Sequence, residues 1–402
     1  MQQDPTRAAA SQPARSSALA QLLRKASSVR ILFSSLGAYG HLFPLVPLAL
    51  AARELGHQAI IGTAATLHPA LAAAGLDVTA IGLSLDEAVE TARNRGLTDP
   101  ADMYFEVFGH LLPTTMMADL QPVLAAGEID LVVHGLASPI AAIAARLAGV
   151  RTAVAAYGRF PGPPLSEVMF PAYREMAAQY GVAVSEPRTM DGPFIDICPP
   201  SLQLSGFAPP SPTLLTRPVS WSPPEPLPRV LEQRDPERPL VYVTLGTVFA
   251  APEIFSVIID GVAREEVDLL VTTGPNVDPA QLGEVPGNVT VLRWAPQDAI
   301  LPLANVVVHH GGSGTTLGAA GHGIPQLLLP QGGDQHPNAG ALVQAGCGLQ
   351  LDTGRDDAAA VASAVRTLLQ DQAIATAARR LAAEIAAMPH PRDTVARLAR
   401  IA

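Results

Sequence analysis

Short apolar runs recur along the chain, and each gives way to glycine or proline before apolar residues at helical spacing begin. Ile31–Phe33 is the first such run. After the loop Gly37–Gly40, the stretch from Phe43 to Leu55 carries Leu45, Leu48, Ala52 and Leu55 on one helical stripe, and Gly56 stops it. The unit repeats as a strand over 129–134, a helix near 138–148, Gly149 and a strand over 152–156. Alternation of this kind builds a parallel sheet covered by helices. A second series follows, with strand candidates at 240–247, 267–274, 288–294, 305–310, 325–330 and 347–351. Between the two series, residues 206–239 hold ten prolines in 34 positions, the composition of a strap between domains.

The pattern predicts an α/β chain of two Rossmann-like domains with a cleft between their sheets. Residues 1–28 form a mobile tail, 29–208 a first domain, 209–238 a Pro-rich linker, 239–388 a second domain, and 389–402 a terminal helix. In open parallel sheets ligands bind beyond the carboxyl ends of the strands, and a cleft between domains is a common ligand site.

A length of 402 residues supports two cores, and 48% hydrophobic with 15% charged residues is a globular composition. The net charge of −10 argues against a nucleic-acid surface. Apolar runs are too short for a membrane span, and residues 1–28 lack the apolar centre of a signal peptide. The two cysteines, Cys198 and Cys347, have no metal-ligand spacing and suit a reducing cytoplasm. The single lysine, Lys25, lies in the tail, which removes Schiff-base, pyridoxal-phosphate and Walker-type lysine chemistry.

The most informative stretch is "VVVHHGGSGTTLGAAGHGIPQLLLPQGGDQ", from Val306 to Gln335. His309 and His310 are adjacent on a strand, so one faces the core and the other the cleft. Gly311, Gly312 and Gly314 allow a tight turn and close backbone approach. Thr315 and Thr316 begin a helix, whose unpaired N–H groups favour an anion such as a phosphate. A dinucleotide reading of Gly312-x-Gly314 fails on spacing, because Leu317 occupies the third glycine's slot and Asp334 lies beyond the strand end. Asp334 and Gln335 pair a carboxylate with an amide, a hydroxyl clamp. Upstream, Trp294 offers a flat ring to a base and Gln297 an amide to its edge. Base platform, phosphate cradle and hydroxyl clamp together describe a nucleotide-sugar site.

These residues resemble the donor signature of family 1 glycosyltransferases with the GT-B fold. The likeness is greatest to bacterial members that decorate macrolides, anthracyclines and enediynes, and it extends over nearly the whole chain after residue 29. "LGAYGHLFPLVPLA" and "PFIDICPPSLQ" are similar to enediyne-type enzymes. The resemblance implies that Trp294 stacks on a pyrimidine beside Gln297, and that His310 bonds the diphosphate. It also implies that Gly312, Ser313, Gly314 and Thr315 cradle the phosphates, that Asp334 and Gln335 meet the sugar, and that Thr247 lies near the donor. His41, in "GAYGH", becomes the catalytic base. The usual partner aspartate is absent: the matching stretch has His134 and Gly135. Gly318 stands where plant members carry a ribose-binding glutamate, which favours a dTDP-sugar over a UDP-sugar. The implied reaction is metal-independent, inverting transfer of a sugar to a hydroxyl of a small apolar or polycyclic aglycone, with no cofactor. In this fold the terminal helix crosses back to the first domain.

Two Met- and Phe-rich stretches, 102–120 and 157–176, are acceptor candidates through Phe105, Phe108, Met116 and Phe160. Two other classes fit parts of the pattern: a GT-B sugar-nucleotide epimerase, and a non-catalytic nucleotide-binding partner of another transferase. A homodimer is compatible with the sequence.

Overall fold

The computed structural model describes residues 28–160, 171, 173–183, 192–208, 212–247, 250–351 and 357–402. The tail reading therefore lies outside the described residues except at Ser28, as does the 161–170 part of the second Met- and Phe-rich stretch.

Seven parallel strands form the first sheet: β1 (Arg30–Ser34), β2 (Gln58–Thr63), β3 (Asp77–Ala80), β4 (Leu131–Gly135), β5 (Arg151–Ala155), β6 (Phe194–Asp196) and β7 (Thr213–Leu215). Their order is β3-β2-β1-β4-β5-β6-β7. Six more form the second: β8 (Leu240–Thr244), β9 (Asp268–Thr272), β10 (Val289–Leu292), β11 (Val306–His309), β12 (Gln326–Leu328) and β13 (Gly348–Gln350). That order is β10-β9-β8-β11-β12-β13, again parallel throughout. Strand order reverses between β1 and β4 and between β8 and β11, so each sheet opens a crevice at the carboxyl ends there.

Apolar side chains fill both faces of each sheet. Ile31 and Phe33 point to one side with Leu45 and Leu48, while Leu32 and Val132 point to the other with Met116 and Ile140. The stretch read as one helix from Phe43 is a 3-10 turn Phe43–Leu45 and the helix Val46–Glu54, preceded by a helical turn Tyr39–Leu42. Pro44 and Pro47 explain the division, since each removes a backbone donor. Thr213–Leu215, read as linker, is instead the outer strand of the first sheet, paired with β6. Pro212 precedes it, a position an edge strand tolerates.

The last helix, Pro391–Leu398, packs on Val46–Glu54 and buries Val395 and Leu398 in the cluster around Phe33. Thr394 Oγ1 meets Thr216 Oγ1 at 2.6 Å, and Arg217 N donates to Pro389 O at 2.7 Å. A separate cluster joins Cys198 and Leu202 to Leu317, Leu342 and Ile385 of the second half. Among the described residues no helix is long and apolar enough to cross a membrane.

Two histidines close central strands inside the core. His309 Nδ1 accepts from Gly311 N at 3.1 Å, so its proton sits on Nε2, which donates to Gln326 Oε1 at 2.8 Å. Burial pushes its pKa down to about 3. His134 donates from Nδ1 to Gly135 O at 3.1 Å, and burial pushes it down to about 4.

Two outcomes are expected. Leu398→Ala should cost about 2–5 kcal/mol through the cavity it leaves, read by urea denaturation. Both core histidines have folded pKa values below the ordinary 6.5, so the unfolded chain takes up their protons first as pH falls. Their contribution is complete above about pH 6.5 and should be lost progressively between about pH 6.5 and pH 3 to 4, seen as falling urea midpoints.

Candidate active site

The second half supplies a cradle for an anion. His309 turns into the core and His310, next along, faces the cleft. Gly311 turns the chain at φ 91°, with Gln335 O only 2.9 Å from where a Cβ would sit. Gly312 is extended and caps the helix Ser313–Gly321 without any side-chain cap, which leaves the first amides free of side-chain acceptors. The helix thus starts at Ser313, two residues before the threonines that the sequence reading chose, because the glycine takes the cap position. His310 is held between Gly246 and Gly312, whose Cβ atoms would lie within 2.6 and 2.3 Å of its ring. Burial lowers its pKa to about 4, against the opposing field of Asp334.

Asp334 is fixed by the same loop. Its Oδ2 accepts from Ser313 Oγ at 2.8 Å and from Asn338 Nδ2 at 3.0 Å, and Asn338 also reaches Gly311 O at 2.9 Å. Gln335 lines the cleft as well, but its Oε1 accepts from Gln331 N and Gly332 N at 2.6 and 3.1 Å, so its carbonyl holds the loop. Trp294 follows β10 and is half-buried. Gln297 starts a short helix, and its Oε1 accepts from Thr315 Oγ1 at 3.2 Å. Thr247 follows β8, with its carbonyl bonded by Asn276 Nδ2 at 2.8 Å.

The first half brings His41 to the opposite wall. The loop after β1 is pinned by Gly37, whose backbone bridges Ser84 and leaves no room for a side chain beside Ala64. His41 then lies in the turn Tyr39–Leu42. The ring of Tyr157, after β5, meets it edge-on at 4.6 Å. Burial lowers the His41 pKa, and Asp334 across the cleft partly opposes this. Its Nδ1 is buried without a hydrogen-bond partner.

His41, Tyr157, Thr247, Trp294, Gln297, His310, Gly312 to Thr315, Asp334 and Gln335 line one cavity of about 630 Å³, within the range of small-molecule sites. Phe105, Phe108, Met116 and Phe160 line it too. Phe105 is 49% exposed, whereas Met116 is only 1% exposed and serves mainly as core beneath Gly82. Phe160 stacks on Phe207 at 4.6 Å. Gly158 touches the cradle from the other half: a Cβ there would lie 2.0 Å from Ser313 Oγ. Among the described residues, no group of three or more His, Cys, Asp or Glu is placed to hold a metal ion.

Three neighbours escaped the sequence reading. Asn338 carried a signal, one helical turn after Asp334. Tyr157 follows β5 on the ligand edge, and Tyr39 sits inside the quoted glycine loop, but neither had a partner visible in sequence.

Residues 256–401 match the family described as erythromycin biosynthesis protein CIII-like, C-terminal domain. An L-demethylnoviosyl transferase of Streptomyces niveus is 32% identical over 377 residues, covering 90% of this chain and 96% of the relative. The crystal structure of the glycosyltransferase SnogD from Streptomyces nogalater superimposes with a TM-score of 0.77 at 27% identity, covering 93% of this chain and 99% of that one. The Streptomyces sp. SF2575 glycosyltransferase SsfS6, complexed with thymidine diphosphate, gives 0.76 at 25% identity, covering 93% and 100%. With two parallel sheets facing one cleft and this likeness along nearly its whole length, the chain belongs to the natural-product glycosyltransferases of the GT-B fold.

Proposed function

We propose that the enzyme moves a sugar or deoxysugar from a dTDP-sugar to a hydroxyl of a small, apolar or polycyclic aglycone, in one inverting displacement that needs no metal ion. The carrying observation is the shared cavity, in which an imidazole from the first sheet faces a helix-start cradle from the second. His41 takes the proton from the acceptor hydroxyl, and the oxygen attacks the anomeric carbon from the side opposite the nucleotide. A base lowered below its ordinary pKa by burial is unprotonated at neutral pH and ready to accept. The free amides at Ser313, Gly314 and Thr315, together with the imidazole of His310, receive the charge of the departing diphosphate. Asp334, held on one oxygen by Ser313 and Asn338, is oriented for a sugar hydroxyl.

The preference for dTDP rests on the floor of the nucleoside site. A Cβ on Gly318 would lie 2.9 Å from Leu301 Cδ1 and 3.3 Å from Ser220 Oγ, so the space for a ribose-binding acid is filled. SsfS6 was crystallised with thymidine diphosphate, which supports the same nucleotide here. The apolar wall of Phe105 and Phe108 suits a flat, weakly polar acceptor.

In a thermal-shift panel, dTDP should stabilise the protein more than UDP, and GDP and NAD should have little effect. Stabilisation by NAD alone would overturn the donor assignment. His41→Ala should lower turnover about 10²–10⁴-fold while leaving dTDP affinity nearly unchanged. For the parent enzyme, kcat/KM should stay flat through neutral pH and fall only below 6.5, the ordinary histidine value; turnover should survive EDTA.

A further inference from the structure

We infer that Tyr39 is the second wall of the nucleobase site, contributed by the acceptor half, so that the base of a pyrimidine nucleoside diphosphate is held between Tyr39 and Trp294. This rests on the nucleotide-sugar reading above and adds to it a residue from the other sheet.

Tyr39 and Trp294 come from different halves, yet their ring centroids are 5.6 Å apart with planes inclined by 40°. Both line the cavity that holds Gln297, Gly314 and Thr315. The contact is therefore made inside the cleft, where the pyrimidine would lie on Trp294. A base between two rings needs them about 7 Å apart, twice a carbon contact distance of about 3.5 Å. The observed spacing is short of that by roughly 1.5 Å, and the inclined planes leave a wedge. Admitting a planar ligand takes a rotation that makes the rings parallel and a parting of the two halves by about that 1.5 Å.

The mounting of Tyr39 suits a wall. Its backbone starts the turn that carries His41, and His41 N and Leu42 N both donate to Ala38 O, at 3.1 and 3.0 Å. The preceding Gly37 is packed tightly against Leu83 and Ser84. Behind the ring, Phe43 meets Tyr39 edge-on at 5.4 Å, and Trp221 of the strap meets Phe43 edge-on at 4.7 Å. Tyr39 is thus backed by two further rings and faces Trp294 with little freedom to withdraw. Stacking tolerates any planar base, so Tyr39 would strengthen the grip on the nucleoside without selecting thymine.

Isothermal titration of the full chain with dTDP and, separately, with inorganic pyrophosphate tests this. Tyr39→Ala should weaken dTDP about tenfold, in line with loss of one stacking partner, and leave pyrophosphate within about twofold. Tyr39→Phe, which keeps the ring, should bind dTDP as the parent does. Tyr39→Leu fills the space against Phe43 and should behave like the alanine variant; it gives the reading if alanine unfolds the loop. Trp294→Ala serves as the reference. If it loses dTDP affinity while Tyr39→Ala and Tyr39→Leu retain it, the second wall is overturned and the donor site stands. Equal weakening of dTDP and pyrophosphate by Tyr39→Ala overturns it as well, because the residue then acts on closure and not on the base. A parent enzyme that binds no dTDP overturns the donor reading itself, and this inference with it.

Discussion

In a parallel sheet every strand ends on the same edge, and the placement of the chemistry here depends on that constraint. The loops after β1, β5, β8, β10 and β11 all emerge on carboxyl edges, and each carries a group that reaches the cleft. Where the strand order reverses, the loops diverge and leave a crevice. Two such crevices face each other. One carries the imidazole of His41, and the other the free helix-start amides of Ser313–Thr315. No lysine occurs among the described residues, and the helix-start dipole at Ser313–Thr315 lies beside the His310 ring on the cleft.

The adjacent histidines show how strongly strand geometry divides identical residues. His309 is sealed against Gln326 and holds the turn by accepting from Gly311. His310, one position on, is flanked by glycines on both sides and lines the cavity. The first maintains the shape that gives the second its position. Asn338 performs a similar service for Asp334, binding the carboxylate, the serine and the glycine turn at once.

Much of this was legible in the sequence because the central strands are unbroken apolar runs, buried on both faces, and glycines mark their ends. β1, β4, β5, β8, β9 and β11 are of that kind. β3 was harder: Asp77–Ala80 is an edge strand with half-exposed residues and no apolar signal. β6 and β7 are three residues each and lie beside prolines, so their pairing is decided by the sheet and not by local preference. The candidate donor residues other than Thr247 were legible because they sit between Trp294 and Gln335 in sequence. Long-range contacts could not be named: Tyr39 on Trp294 and Gly158 on Ser313 join the two halves, and Tyr157 on His41 joins distant loops of the first sheet. Gln335 was assigned to the sugar as an amide beside the Asp334 carboxylate; it lines the cavity, and its carbonyl also braces the loop before it.

The return of the terminal helix has a bearing on recombination between relatives. A hybrid spliced in the proline-rich strap would inherit its last helix from the donor-side parent and lay it on a foreign bed around Phe33 and Val46–Glu54. The exchangeable module is consequently discontinuous: the first sheet together with residues 389–402, travelling as one piece.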